Sequence, residues 1–152
     1  SVNKLAVVVL SALEIDIDFN VNVLTGSDGV LRGASGGHCD TAFGSALSII
    51  VAPLVRGRIP TVVGKVLTRI TPGSSVDILV TDHGVAVNPA RPELAQRLEA
   101  AGLKTVTIEW LCDRARQLTD EPQPIAFTDK PVAIVRYRDG SVIDVVYQVR
   151  DE

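Results

Sequence analysis

The fold rests first on residues 5–10, LAVVVL, a continuous apolar run rich in β-branched side chains. Such a run is typical of a strand that is buried on both faces of a largely parallel sheet. Two more runs of this kind follow at residues 48–55, SIIVAPLV, and at residues 77–81, DILVT. The three runs predict the central strands of one mixed or mainly parallel sheet.

Helix signals, such as the capping residue Thr107, alternate with these strands. The predicted helices cover residues 40–47, 92–101 and 108–118. Asp139-Gly140 is a typical hairpin turn between two predicted strands, residues 132–138 and 142–149. We therefore predict an α/β fold: a mixed, mainly parallel sheet with flanking helices and a C-terminal β-hairpin.

Residues 14–23 show a different pattern, a strict alternation of apolar and polar side chains. This pattern is typical of a strand with one face on the core and the other in water. The side expected to face water consists of Asp16, Asp18, Asn20 and Asn22. Further short strands are predicted at residues 59–63, 66–70 and 105–107.

Composition places the chain among ordinary globular domains. It has 152 residues, a formal net charge of −3 and 46% hydrophobic residues, which allows a sizeable core and excludes a disordered chain. No apolar run approaches the roughly 18 residues of a membrane span. No cluster of Lys and Arg provides an electrostatic footprint for nucleic acid. We expect one domain over residues 1–152, with neither a membrane nor nucleic acid as a partner.

The chain opens with a predicted core strand and contains no Met. We therefore expect it to be the carboxyl-terminal domain of a longer, two-domain polypeptide. No secretory signal is visible, and the two cysteines, Cys39 and Cys112, are far apart and outside any metal-ligand spacing. These observations predict no metal site and a cytoplasmic location, and they leave a single disulfide open.

The most informative segment is residues 33–40, GASGGHCD, in which adjacent glycines precede a predicted helix. Backbone N–H groups in such a segment are free to bind an anion or an oxyanion. The spacing matches neither a dinucleotide fingerprint nor a P-loop. A plain glycine-rich turn before a capped helix is the alternative, and Cys39 is either a reactive thiol or a small packed residue.

Charged residues follow two of the predicted core strands. Because ligands of α/β sheets bind at the carboxyl ends of the strands, Arg56 and Arg58 could hold a carboxylate or a phosphate through paired hydrogen bonds. Asp82 and His83 close the strand at residues 77–81. The alternatives are a solvated loop for the arginines and a structural hydrogen bond for the histidine.

Several motifs, read in order, resemble the citrate lyase alpha subunits, within the wider family of acyl-CoA transferases and hydrolases. The motifs are NVNVLTGSDG at residues 20–29, GASGGHCD at residues 33–40 and DHGVAVNPARPEL at residues 82–94. The resemblance runs from residue 5 to about residue 149 and is to the carboxyl-terminal half of those proteins. It implies that the sheet is CoA-transferase-like.

The resemblance implies an exchange on a thioester, in which citrate replaces acetate on an acyl carrier protein and a lyase subunit then cleaves the citryl thioester. Gly36 and Gly37 would stabilise the oxyanion through their N–H groups, and Arg58 and Arg56 would bind citrate. No cofactor is bound directly, because the reacting group is the CoA-like prosthetic arm of the carrier protein, or CoA. The substrate-binding candidates are Asn22, Ser35, His38, Asp40, Arg56, Arg58, Asp82 and His83.

The resemblance also implies partners and leaves alternatives open. In related transferases the catalytic glutamate lies in the amino-terminal half, and Glu14 belongs to a different motif. The implied partners are therefore the carrier protein, the citryl lyase subunit and the amino-terminal half of the same chain. One alternative is an acyl-CoA transferase or hydrolase of another substrate, although His38 stands where the hydrolases usually have Gln. The other is a carrier-docking or assembly domain without activity of its own.

Overall fold

A four-stranded sheet and a smaller three-stranded sheet enclose the core in a computed structural model, which describes residues 5–26, 28–119 and 123–150. In chain order its elements are β1 (Leu5–Leu10), β2 (Glu14–Asp16), β3 (Val21–Asn22), α1 (His38–Phe43), β4 (Ser45–Val51), β5 (Val55–Arg56), β6 (Ile59–Pro60), β7 (Val62–Val63), β8 (Ile78–Thr81), β9 (Gly84–Val87), α2 (Pro92–Ala100), α3 (Ile108–Leu118), β10 (Phe127–Arg136) and β11 (Val142–Val149).

The larger sheet has the strand order β1-β4-β8-β9, in which β4 is parallel to β1 and β8 while β9 is antiparallel to β8. The three apolar runs form its first three strands, so the predicted mixed α/β architecture is confirmed. The second run is displaced, because β4 begins at Ser45 and ends at Val51. Beyond it, Leu54 donates its N–H to the Asp82 carboxylate instead of to a strand.

Strand β1 lies at the edge of this sheet, so the prediction that it is buried on both faces is wrong for the described chain. Val7 and Val9 are 52% and 61% exposed. An apolar strand composition indicates that both faces can be covered, but it does not say by which segment. No strand within residues 5–26, 28–119 and 123–150 pairs with the outer edge of β1.

The core lies between the inner face of the larger sheet, the smaller sheet and helix α3. The smaller sheet has the strand order β3-β2-β7, and Ile15, Phe19 and Val62 on and between its strands are fully buried. The side chains that α3 contributes recur at helical spacing, as predicted. They are Ile108, Leu111, Cys112 and Ala115.

The predicted half-exposed strand at residues 14–23 is instead two short antiparallel strands, β2 and β3, joined by a tight turn. The Asp16 carboxylate accepts the N–H groups of Asp18 and Asn20, at 3.0 and 2.9 Å, which stabilises the turn. Asp16 and Asn22 are therefore buried, and the prediction that they face water is wrong. Asp18 is exposed, as expected.

The helix expected at residues 40–47 is α1, which is shorter because parallel pairing with β1 already begins at Ser45. Residues 59–63 form two separate short strands, β6 and β7. Residues 105–107 form a single bridge, between Val106 and Ala86.

Residues 66–70 form no strand, contrary to the prediction. The N–H of Val66 donates to the Asp16 carboxylate and that of Leu67 to the Glu14 carboxylate, each at 3.3 Å. Side chains of β2 therefore satisfy the backbone that a neighbouring strand would otherwise bond. Apolar composition alone does not reveal this exchange of partners.

Helices α2 and α3 lie where predicted, and the Thr107 hydroxyl accepts the N–H of Trp110 at 3.1 Å as the N-cap of α3. Strands β10 and β11 pair antiparallel across residues 137–141. The Arg69 guanidinium donates to the Ile143 carbonyl at 2.6 Å and ties these strands to the body of the protein. None of the helices in the described part of the chain combines the length and the apolar composition that a membrane crossing requires.

Candidate functional site

The carboxyl ends of β1, β4 and β8 lie side by side, and hydrogen bonds join the loops that follow them. Leu54, after β4, donates its N–H to Asp82 Oδ1, after β8, at 2.8 Å. The Arg56 guanidinium donates to the carbonyl oxygen of Ala12, which follows β1. These loops and the glycine-rich segment form the candidate site, called the rim below. The rim comprises residues 11–12, 33–40, 54–58 and 82–83.

The glycine-rich segment is exposed along the rim. A Cβ at Gly36, whose φ is +49°, would meet nothing within 4 Å, and a Cβ at Gly37 would meet Thr41 Cγ2 at 3.9 Å. Gly33 differs, because its Cβ would lie 2.4 Å from the carbonyl oxygen of Val23. Close packing therefore requires glycine at position 33, whereas the backbone at positions 36 and 37 is open to an incoming group.

His38 ties the glycine-rich segment to two other parts of the chain. Its Nε2 lies 2.9 Å from the Ser11 carbonyl oxygen, and its Nδ1 lies 2.7 Å from Thr71 Oγ1. Because a carbonyl only accepts, Nε2 holds the proton, and Nδ1 of the neutral ring accepts from the Thr71 hydroxyl. Burial lowers the pKa of His38, which favours this neutral ring. A substrate contact through His38 would require one of these bonds to break.

Asn22 lies in a buried polar network rather than on the rim. Its Nδ2 donates to Glu14 Oε2 at 2.8 Å, and its Oδ1 accepts the N–H of Thr25 at 3.1 Å. The Thr25 hydroxyl in turn lies 2.9 Å from that of Thr68. Burial raises the pKa of Glu14, although the hydrogen bond from Asn22 opposes this. The network joins β2, β3 and the segment at residues 66–68. Asn22 therefore has a structural role.

The other polar residues of the glycine-rich segment are less buried. Ser35 is exposed, and its carbonyl accepts the N–H of His38 at 3.1 Å. Asp40 Oδ1 lies 2.9 Å from Arg138 Nε in an exposed ion pair. Burial and the neighbouring Asp40 carboxylate raise the pKa of the Cys39 thiol. Less thiolate is then present at neutral pH, which favours a packed residue over a reactive thiol.

The two candidate arginines occupy different environments. Arg56 is half-buried, and its guanidinium donates a hydrogen bond to the Ala12 carbonyl oxygen. Arg58 is exposed in the turn between β5 and β6, and it forms no hydrogen bond or ion pair with any residue that the structure describes. Arg58 is therefore available for an external anion, whereas Arg56 holds two loops of the rim together.

Asp82 and His83 lie in the turn between β8 and β9. His83 Nε2 is 4.0 Å from Asp82 Oδ2, and the His83 N–H donates to Thr81 Oγ1 at 3.1 Å. One Asp82 oxygen is already used by the N–H of Leu54. The structure thus brings both residues to the rim, where the His83 side chain is 31% exposed and the more exposed Asp82 side chain joins two loops.

Sequence reasoning missed the contribution of strand β10 and the turn after it. A cavity of about 300 Å³ is lined by Gly36, Cys39 and Asp40 on one side and by Tyr137 and Arg138 on the other. The Tyr137 hydroxyl is buried and has no hydrogen-bond partner within the described ranges. Asp40 and Arg138 are 98 positions apart in the chain, and no local spacing signals such a contact.

Two larger cavities, of about 430 and 480 Å³, lie on either side of residues 65–67 and away from the rim. Glu14 and Arg116 line the second of them. Across residues 5–26, 28–119 and 123–150, no three His, Cys, Asp or Glu side chains gather in a group that could hold a metal ion.

The chain matches the family model described as citrate lyase, alpha subunit (CitF), over residues 1–149. It is 81% identical over 151 residues to the citrate lyase alpha chain of Escherichia coli, and 70% and 68% identical to those of Klebsiella pneumoniae and Haemophilus influenzae. Each alignment covers 99% of this chain and 30% of the relative, so the chain spans less than a third of those proteins.

A solved structure is similar along nearly the whole chain. The alpha subunit of citrate lyase from Streptococcus mutans, determined in complex with citrate, matches with a TM-score of 0.93 and 57% identity. The match covers 96% of this chain and 29% of that one. The resemblance read from the sequence motifs is confirmed by these matches.

Proposed function

Because the chain belongs to the citrate lyase alpha subunit family, we propose that it is the carboxyl-terminal domain of a longer alpha subunit that exchanges acetate for citrate on a carrier-protein thioester. The Escherichia coli relative, of which this chain spans 30%, has the length for a preceding domain. In this proposal the preceding domain supplies the catalytic carboxylate. Residues 1–152 supply groups that bind the thioester and citrate within a CoA-transferase-like fold.

The observation that supports this function most directly is the open glycine-rich segment on the rim. In each half of the exchange, a nucleophile attacks a thioester or acyl carbonyl, and the carbonyl oxygen gains negative charge. Backbone N–H groups aimed at that oxygen stabilise it without any side chain. Gly36 and Gly37 have this exposed backbone and leave room for an acyl group beside it.

Citrate recognition is assigned to the arginine side of the rim. A tricarboxylate needs cations, and a guanidinium can hold two carboxylate oxygens at once. Arg58 is exposed and unpaired within the described chain, whereas Arg56 already bonds to Ala12. The Streptococcus mutans relative was determined with citrate bound, which supports citrate as the substrate.

The CoA-like arm of the carrier protein is assigned to the cavity between the glycine-rich segment and β10. Its volume of about 300 Å³ suits the end of a slender chain, and the buried Tyr137 hydroxyl offers an unused hydrogen bond. The chain itself then needs no bound cofactor. The partners are the acyl carrier protein and the citryl lyase subunit, and a cytoplasmic location belongs to the same proposal.

The test follows release of labelled acetate from acetyl-carrier protein by a full-length alpha subunit that contains this sequence. We expect release that depends on citrate and yields citryl-carrier protein. Exchange with free acyl-CoA and a different carboxylate, but none with the carrier and citrate, would indicate another transferase or a hydrolase. Binding of the carrier without any exchange would indicate a docking or assembly domain.

A further inference from the structure

The larger sheet has one face that the described residues cover only on the β8 and β9 side, where Ile78 is buried. Its inner face packs into the core through Ile50, Leu79 and Ala86. The pairing register places on the opposite face, called the outer sheet face, a set of side chains that are aliphatic except for Ser45. The aliphatic members are Leu5, Val7, Val9, Leu47, Ile49, Val51, Ile78, Val80, Val85 and Val87.

Much of the outer sheet face is open to solvent. Val7, Val9 and Val51 are 52%, 61% and 45% exposed. Helix α2 reaches only the β9 side of the sheet, where Ala95 and Val87 line one small cavity. Contiguous apolar surfaces of this kind mark interaction sites, because isolated soluble proteins rarely expose them.

The outer edge of β1 is open as well. Edge strands normally contain a charged residue, a proline or a bulge that prevents pairing with another strand. Strand β1, LAVVVL, has none of these. It is also parallel to β4, and parallel strands are usually covered by helices on both faces of their sheet. The strand therefore has the composition of an interior strand and the position of an edge strand.

We infer that the β1 edge and the outer sheet face form the interface with the rest of a longer alpha subunit, which adds a strand beside β1 and packs helices on the face. This inference rests on the proposed function, because it needs the longer polypeptide. The Escherichia coli relative, of which this chain spans 30%, is long enough to provide such a unit.

A second copy of this chain fits the two open surfaces less well. Pairing of two copies through β1 would extend the sheet and leave the outer sheet face bare. Stacking of two outer sheet faces would cover the face and leave the β1 edge unpaired. A unit that contains a strand and its crossover helix covers both surfaces at once, as in a βαβ connection.

The test measures cysteine labelling in the full-length alpha subunit. Val7→Cys and Val9→Cys place a thiol on the outer sheet face, and Leu103→Cys, 55% exposed after α2, is the matched control. Labelling of the parent protein, which includes Cys39 and Cys112, is first subtracted from that of each variant. Protection is then the maleimide labelling rate in urea divided by the rate in native protein. We expect protection at positions 7 and 9 to exceed that at position 103 about tenfold or more, because buried thiols react only after local opening.

Labelling of Val7→Cys and Val9→Cys as fast as the control would overturn the inference. Protection that disappears on dilution would also overturn it, since the face would then belong to a second copy. Val51→Cys, on β4 of the same face, replaces either variant whose thermal unfolding differs from that of the parent. Because labelling uses neither citrate nor carrier protein, a protected but inactive protein would contradict the proposed function alone.

Discussion

Single residues at the rim fall into two groups, those already bonded within the chain and those still available. His38 and Arg56 donate to carbonyl oxygens that follow β1, and Asp82 accepts a backbone N–H. The Arg58 side chain and the Gly37 N–H have no such partner among the described residues. Substitutions in the first group should therefore affect stability, and substitutions in the second should affect activity.

Replacement of Gly37 by Val tests the oxyanion role in the full-length subunit. The new Cβ would meet only Thr41 Cγ2, at 3.9 Å, and the φ of −94° suits an L residue, so we expect the fold to persist. The branched side chain would fill the open space beside the N–H groups. We expect citrate-dependent acetate release to fall by about 10²–10³-fold, the range for a lost oxyanion donor.

The contrasting variant is Gly33→Val, whose Cβ would collide with the Val23 carbonyl oxygen. It should lower the melting temperature measured by circular dichroism, which Gly37→Val should not. If folded Gly37→Val protein exchanges acetate at the parent rate, the segment is a plain glycine-rich turn.

Replacement of Arg58 by Lys tests the citrate assignment. Lysine keeps the charge but cannot hold two carboxylate oxygens in one plane. We expect the KM for citrate to rise about tenfold, the order expected when a charge-assisted hydrogen bond is lost, with carrier-protein affinity unchanged. Arg97→Lys, on the exposed side of α2, is the matched control. Weaker carrier binding at an unchanged citrate KM would place the carrier's arm, and not citrate, at Arg58.

Helices and strands whose signals are local in the sequence lie close to where they are predicted. Thr107 and the apolar spacing after it are sufficient to define α3, and three apolar runs mark β1, β4 and β8. The alternation at residues 14–23 was misleading, because Asp16 and Glu14 bond to backbone N–H groups 50 and 53 positions away. An alternation of apolar and polar residues identifies a polar face of a strand, but it does not show whether that face contacts water or another segment.

The same distinction applies to the candidate site. Arg56 and Asp82 could be placed at one edge of the sheet, because each follows a predicted core strand and the carboxyl ends of parallel strands meet there. The cavity wall formed by Tyr137 and Arg138 could not be predicted, since it depends on how the last two strands pack against the glycine-rich segment. Local patterns contain no information on that packing.

The smaller sheet allows a test of its buried carboxylate. Burial raises the pKa of Glu14, which is 3% exposed, so the folded protein holds the proton more tightly than the unfolded chain does. Ionisation therefore costs stability as the pH rises through the raised pKa. Glutamine keeps an oxygen for the N–H groups of Asn22 and Leu67 but cannot ionise. We expect Glu14→Gln to raise the free energy of unfolding at about pH 8 and to change it little at about pH 4, below the ordinary glutamate pKa.

Urea unfolding at the two pH values measures this difference. Glu99→Gln, on the exposed side of α2, is the matched control and should show no such dependence on pH. A loss of stability in Glu14→Gln at about pH 8 would show that the network requires the ionised carboxylate.

At the scale of the whole molecule, the described residues form a continuous core, but the described part of the rim lacks a carboxylate that is prepared for nucleophilic attack. Of the rim carboxylates, Asp40 pairs with Arg138 and Asp82 accepts the N–H of Leu54. His83 Nε2 lies 4.0 Å from Asp82 Oδ2, but the Asp82 and Asp40 side chains are 61% and 47% exposed, so burial does not prepare either carboxylate to attack a thioester. The open edge of β1 and the outer sheet face also indicate a missing part, because both lack a covering segment in the part of the chain that the structure describes.

We therefore expect the 152-residue chain to unfold cooperatively by itself and to be inactive in citrate-dependent exchange. Its core is formed by two sheets and α3, so we expect it to fold independently, whereas the proposed function takes the nucleophilic carboxylate from the preceding domain. Acetate release by this chain and by the full-length subunit, at equal concentrations, measures the difference. Addition of the preceding polypeptide as a separate chain should restore part of the activity, because it supplies the carboxylate and covers the outer sheet face. Exchange by the isolated chain at nearly the full-length rate would show that these residues already contain a complete active site.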